Sequence, residues 1–119
     1  MATILVVEDE EPIAELLRAA LEDEGHRVVT AADGREALAR LAEVRPALVL
    51  SDVMMPHLDG RELARALAAD PDLRTIPLVL LSALGVVSVA GVPHAAFVGK
   101  PFELDHLLAT IARLLPDTA

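Results

Sequence analysis

The chain has no cysteine, no tryptophan and no tyrosine, and only two phenylalanines among its 119 residues. Without thiols it can form no disulfide, thiolate metal site or cysteine nucleophile, which fits a reducing compartment. Basic residues are scarce, 10 against 19 acidic, for a net charge of -9, and no Lys/Arg cluster stands out. That balance excludes the phosphate-neutralising surface that direct nucleic-acid binding requires, so the expected partner is a protein. The four histidines, at 26, 57, 94 and 106, lack the HExxH-type spacing of a zinc site and read as solvated or half-buried imidazoles. No basic segment precedes the apolar start, which runs into Glu8, Asp9, Glu10 and Glu11. No signal peptide is therefore expected, and a cytoplasmic location is. From Ile76 to Gly99 there is no Asp, Glu, Lys or Arg, a stretch long enough to raise the question of a membrane span. Pro77, Gly85, Gly91, Pro93 and two serines interrupt it and its ends look like strands, so no membrane span is expected.

What the chain does have is a set of short apolar runs, each closed by a polar residue. The runs are ILVV (4 to 7), ALVL (47 to 50), IPLVLL (76 to 81) and AAFVG (95 to 99); the residues at or just beyond their ends are Glu8 and Asp9, Asp52, Ser82 and Lys100. All-apolar strands belong to a parallel sheet covered on both faces. Between them lie helical patterns. Pro12 to Glu24 carries the stripe Ile13, Leu16, Leu17, Ala20, Leu21 and stops at Gly25; Arg35 to Val44 has Asp33 as cap and Pro46 as terminator. Arg61 to Ala69 can be capped by Asp59, and Glu103 to Leu115 closes the chain as an amphipathic helix. A further strand is expected over Arg27 to Ala31. This alternation predicts one doubly wound α/β domain over residues 1 to 119, with no output domain in this chain, no repeat and no linker. In such sheets ligands sit beyond the carboxyl ends of the strands, where these polar residues lie.

Each of these residues alone has an ordinary explanation. Acids before a helix stabilise its amino end, Asp52 could be a turn residue, Ser82 a helix cap and Lys100 a solvated strand end. Gathered on one rim, however, three carboxylates repel one another unless protonated or bridged. A hard divalent cation relieves that repulsion, and an all-oxygen set suits Mg²⁺, with Mn²⁺ as a substitute, better than zinc. Asp52 is then the candidate nucleophile, since a carboxylate can attack phosphorus to give an aspartyl phosphate. Lys100 would supply a fixed cation and Ser82 a hydroxyl donor for the charge on the transferred group.

In these segments the chain resembles the receiver domain of two-component response regulators. The matching stretches are ILVVEDEEPI (4 to 13), LVLSDVMMPHLDG (48 to 60), LVLLSA (78 to 83) and FVGKPF (97 to 102), and they cover essentially the whole length. The resemblance implies a flavodoxin-like, chemotaxis-regulator-like sheet of five parallel strands in the order 2-1-3-4-5. It implies Asp52 as acceptor of a phosphoryl group from a phosphohistidine on a sensor histidine kinase or phosphotransfer protein. Glu8, Asp9, Asp52 and the backbone carbonyl of Met54 would hold Mg²⁺, Ser82 would be the switch hydroxyl and Lys100 the phosphoryl-binding lysine. Phe97 would be the aromatic switch residue, although a plain core role fits it equally well. The Lys100-Pro101 bond is expected to be cis. Self-phosphorylation and slow self-dephosphorylation would be the only catalysis, with no separate enzyme activity.

The chain departs from the family pattern between Ser82 and Lys100, which is several residues shorter than usual. Leu84 to His94, reading LGVVSVAGVPH, is all that connects the last two strands, close to the roughly 10 to 12 residues a crossover with its helix needs. Two glycines and four valines give it poor helix propensity, which predicts a fourth helix of one or two turns or an irregular loop. In receivers the fourth helix, fifth strand and fifth helix carry the switched signal, and an apolar segment there would expose a surface for a downstream partner or a second copy. Met54 and Leu84 stand where receivers often carry polar side chains that position water, which implies slow hydrolysis of the acyl phosphate. Rival readings are weaker. EDEEP replaces the GxGxxG of a dinucleotide site, a flavin would find almost no aromatic to stack on, and an aspartyl phosphatase would carry a second acid where Met54 stands. A receiver-like interaction module acting without phosphorylation remains the alternative.

Overall fold

Each apolar run becomes a strand because the sheet it joins can bury both of its faces. In the computed structural model, which describes residues 2–115, the strands are β1 (Thr3–Val7), β2 (Arg27–Ala31), β3 (Leu48–Asp52), β4 (Leu78–Ser82) and β5 (Ala96–Gly99). They form one parallel sheet in the order β2-β1-β3-β4-β5, as the resemblance implied. Successive side chains point to opposite faces, so two cores form. Leu5, Val7, Val49, Leu78 and Leu80 pack on one face, and Ile4, Val6, Leu48, Leu50, Val79 and Leu81 on the other. Burying each of these side chains contributes roughly 1.5–3 kcal/mol, which makes the central strands β1, β3 and β4 the rigid part of the molecule.

Among the described residues, four α-helices cover the sheet. Helices α2 (Gly34–Glu43) and α3 (Gly60–Ala69) lie on the first face through Ala37, Leu41, Leu63, Ala64 and Leu67. Helices α1 (Glu11–Asp23) and α4 (Leu104–Leu114) lie on the second through Leu17, Leu21, Leu107 and Ile111. The sequence-based boundaries differ from these by a residue or so, as expected where the last turns fray. The predicted caps are present. Asp33 accepts a hydrogen bond from the Glu36 N–H at 2.8 Å. Asp59 accepts from the N–H groups of Arg61 and Glu62 while Glu62 accepts from the Asp59 N–H, a reciprocal capping box. None of the helices among the described residues is long and apolar enough to cross a membrane.

The crossover from β4 to β5 contains a single 3₁₀ turn, Val86–Val89, in place of an α-helix. Gly85 and Gly91 bracket it with φ of 83° and 76°, left-handed conformations that end a helix on either side. Its valines divide between core and solvent. Val89 and Val92 are buried in the core shared with α2 and α3, whereas Leu84, Val86 and Val87 are 59%, 62% and 80% exposed. The apolar surface expected from the composition is therefore present. Lys100-Pro101 is cis, also as expected.

Candidate functional site

Parallel register decides which polar residues meet. Val7 lies beside Ser51 and Ser82 beside Gly99, so the residues at or just past the strand ends share one rim. Lys100 is tied to β4 by its N–H, which donates to the Ser82 carbonyl at 3.0 Å. The chain leaves β1 toward β2 and returns on the far side as β3. The crevice at this reversal, where an open α/β sheet binds its ligand, lies between Glu8 and Asp52.

Glu8, Asp9 and Asp52 each bring a carboxylate oxygen within 4.8 Å of the others. Lys100 Nζ lies 3.2 Å from Asp52 Oδ2 and 3.6 Å from Glu8 Oε1. Glu8 and Asp52 are buried and Asp9 is exposed, so the cluster opens to solvent on the Asp9 side. Burial first, and then the negative charge of Asp52, push the Glu8 carboxyl from 4.5 up to about 7 against the pull of Lys100. Burial alone would lower the Lys100 pKa, but the charges of Asp52 and Glu8 outweigh it and raise it. One lysine does not balance this cluster.

Both carboxylate oxygens of Glu8 are buried without a hydrogen-bond partner. An ionised group left so would carry much of its desolvation cost uncompensated. Three converging carboxylates, that of Glu8 with both oxygens buried and unpartnered, form a donor set that fits a hard divalent cation such as Mg²⁺.

The backbone around Asp52 is held from two sides. Ser51 Oγ donates to the Asp52 carbonyl at 2.8 Å. Gly60, at the start of α3, comes so near that a Cβ there would stand 2.5 Å from that same carbonyl oxygen and 2.8 Å from Val53 Cα, closer than any side chain allows. Glycine at this position lets α3 dock beneath the acidic crevice.

Of the residues singled out by sequence, Glu8, Asp9, Asp52 and Lys100 are brought together directly. Ser82 is on the same rim, but its hydroxyl is engaged within the crossover, where it accepts from the Leu84 N–H at 2.9 Å. Met54, two residues beyond Asp52, is 53% exposed. Phe97 is half-buried and packs against the core under α2 and α3. Ser51 and Ser88 escaped the sequence reading. The first is hidden in a strand, and the second only acquires a partner, Ser82, once the crossover turns back on itself.

Comparison with known proteins agrees with this architecture. The response regulator receiver domain family matches residues 4–112, and the chain belongs to that family, the receiver domains of two-component signalling. Response regulator MprA of Mycolicibacterium vanbaalenii is 44% identical over 97% of this chain and 51% of its own length. The chain thus spans about half the length of the curated relatives it matches. The signal receiver domain of a signal transduction histidine kinase from Syntrophus aciditrophicus superimposes with a TM-score of 0.93 at 38% identity, covering 100% of this chain and 97% of that one. The receiver domain of sensor histidine kinase PA1611 from Pseudomonas aeruginosa, solved with a magnesium ion in its active-site cleft, gives a TM-score of 0.87 at 28% identity, with 95% and 96% covered.

Proposed function

We propose that Asp52 is the phosphoacceptor of a two-component or phosphorelay system. The observation that carries this reading is the buried Asp52 carboxylate 3.2 Å from the Lys100 ammonium, with Glu8 and Asp9 converging on the same crevice. A carboxylate oxygen of Asp52 attacks the phosphorus of a phosphohistidine. The new O–P bond forms as the N–P bond breaks, and the imidazole leaves with the electron pair and takes a proton from solvent. Lys100 holds Asp52 in place before transfer and faces the developing phosphoryl charge during it. Ser82 then turns its hydroxyl proton toward a phosphoryl oxygen. Glu8, Asp9, Asp52 and the Met54 carbonyl would hold Mg²⁺, which when bound would neutralise the carboxylate charge that an anionic donor meets here. The donor is a sensor kinase or a phosphotransfer protein in the cytoplasm, and the output leaves through the exposed crossover with β5 and α4.

The test is intact mass after incubation with a small phosphodonor, with Mg²⁺ or with a chelator. One phosphoryl group per chain is expected with Mg²⁺ only, lost again under the mild alkali that cleaves acyl phosphates. An unchanged mass in Mg²⁺ would favour the rival reading, an interaction module that uses the exposed Leu84, Val86 and Val87 without phosphorylation.

Lifetime follows from the same residues. Met54 and Leu84, two residues beyond Asp52 and Ser82 in the chain, carry exposed apolar side chains that cannot orient a water molecule. The acyl phosphate is expected to persist for many minutes, and Met54→Gln to shorten its life. Loss within seconds in the unaltered protein would contradict this.

A further inference from the structure

The hydroxyl of Ser82 is already committed in this structure, and its partner lies on the 3₁₀ turn. Ser82 Oγ accepts from the Leu84 N–H, so its own proton remains to be placed. Ser88 Oγ stands 3.5 Å away, at the outer limit of a hydrogen bond. Ser88 has one proton, and its oxygen is only 2.7 Å from the Gly85 carbonyl, which claims that proton. The Ser88 oxygen is then the acceptor left facing Ser82, and the Ser82 proton is directed into the crossover.

We infer that Ser88 is a positioning residue that holds the Ser82 hydroxyl in its resting direction and ties that hydroxyl to the Val86–Val89 turn. This rests on Asp52 being the acceptor. A phosphoryl oxygen on Asp52 is a charged acceptor and outcompetes a neutral hydroxyl at 3.5 Å. When the Ser82 proton moves to it, Ser88 loses its contact. The turn then keeps its Ser88 to Gly85 hydrogen bond and its buried Val89 and Val92, and its remaining hydrogen bond to the rim is the one from the Leu84 N–H to Ser82 Oγ. The exposed Leu84, Val86 and Val87 ride on that segment, so the relay reaches the apolar surface in one step.

The experiment compares the unaltered protein with Ser88→Ala and Ser88→Thr, using beryllium fluoride with Mg²⁺ as the phosphoryl mimic. Binding is read by titration and the turn by the amide NMR signals of residues 84 to 89. Removing a weak competing acceptor should tighten mimic binding about two- to fivefold in Ser88→Ala. Its resting amide signals should already be displaced toward the mimic-bound positions of the unaltered protein. Ser88→Thr, which restores the hydroxyl, should return both readouts to those of the unaltered protein. If Ser88→Ala binds the mimic with unaltered affinity, or more weakly, or its resting signals are unmoved, Ser88 has no such role while Asp52 still stands as acceptor. Failure of the unaltered protein both to bind the mimic and to take up phosphate would defeat the acceptor reading, and the role of Ser88 with it.

Discussion

Asp52→Asn is expected to take up no phosphoryl group at any donor concentration, and Lys100→Met to take one up about a hundred- to a thousandfold more slowly, the cost of removing one preorganised electrostatic contact from a transition state. The two losses differ in kind. An amide in place of Asp52 leaves the crevice its shape but no nucleophilic oxygen, whereas methionine at 100 leaves the nucleophile and deletes the only cation that contacts it among the described residues. Lys100→Met also removes the one partner that pulls down the pKa of Glu8, so its residual activity should need more Mg²⁺ than that of the unaltered protein. Quenched time courses read by intact mass, over a range of Mg²⁺, separate these effects. A Lys100→Met rate within a few-fold of the unaltered one would show that the lysine is an ordinary ion-pair partner and has no share in the transfer.

The second large effect concerns stability. The Glu8 pKa is about 7 in the folded protein against 4.5 in an unstructured chain, so the folded state binds a proton that the unfolded state has already released. Below pH 4.5 both states are protonated and the contribution is fully present. As pH rises through 7 it is lost, amounting to about 3 kcal/mol for a shift of this size. Lys100, whose pKa is raised from 10.5, contributes only in the alkaline range beyond this window. Metal-free protein should therefore weaken between pH 5 and 8, Mg²⁺ should restore stability most strongly at the upper end, and Glu8→Gln should flatten the pH dependence. Urea midpoints at both pH values, with chelator or with Mg²⁺, measure this directly. Parallel profiles for the unaltered protein and Glu8→Gln would rule Glu8 out as the source.

The alternation of apolar runs and amphipathic stretches was enough to read the architecture, because a sheet covered on both faces leaves an unmistakable pattern in Ile4 to Val7, Leu48 to Leu50 and Leu78 to Leu81. The rim was legible for a related reason. In a parallel sheet every strand delivers its last residue to the same edge, so chain position alone placed Glu8, Asp9, Asp52 and Lys100 near one another. Hydroxyl directions were not legible. Ser82 and Ser88 come together through a turn framed by two left-handed glycines, and no periodicity encodes which way a hydroxyl points within it. The tight approach of Gly60 to Asp52 was hidden for a similar reason, since it depends on how α3 docks after its capping box.

The short crossover also bears on how the chain finds this fold. Val79 and Ala96, paired between β4 and β5, are 17 residues apart, while Ile4 and Leu48, paired between β1 and β3, are 44 apart. Closing the shorter loop costs about 0.8 kcal/mol less conformational entropy, since that cost grows with the logarithm of loop length. Among the pairings of the sheet, β4 with β5 is the cheapest to nucleate by this measure. The trimming that left the crossover without a full helix thus brings Ser82 and Lys100 into register at a smaller entropic cost than any other two strands of the rim.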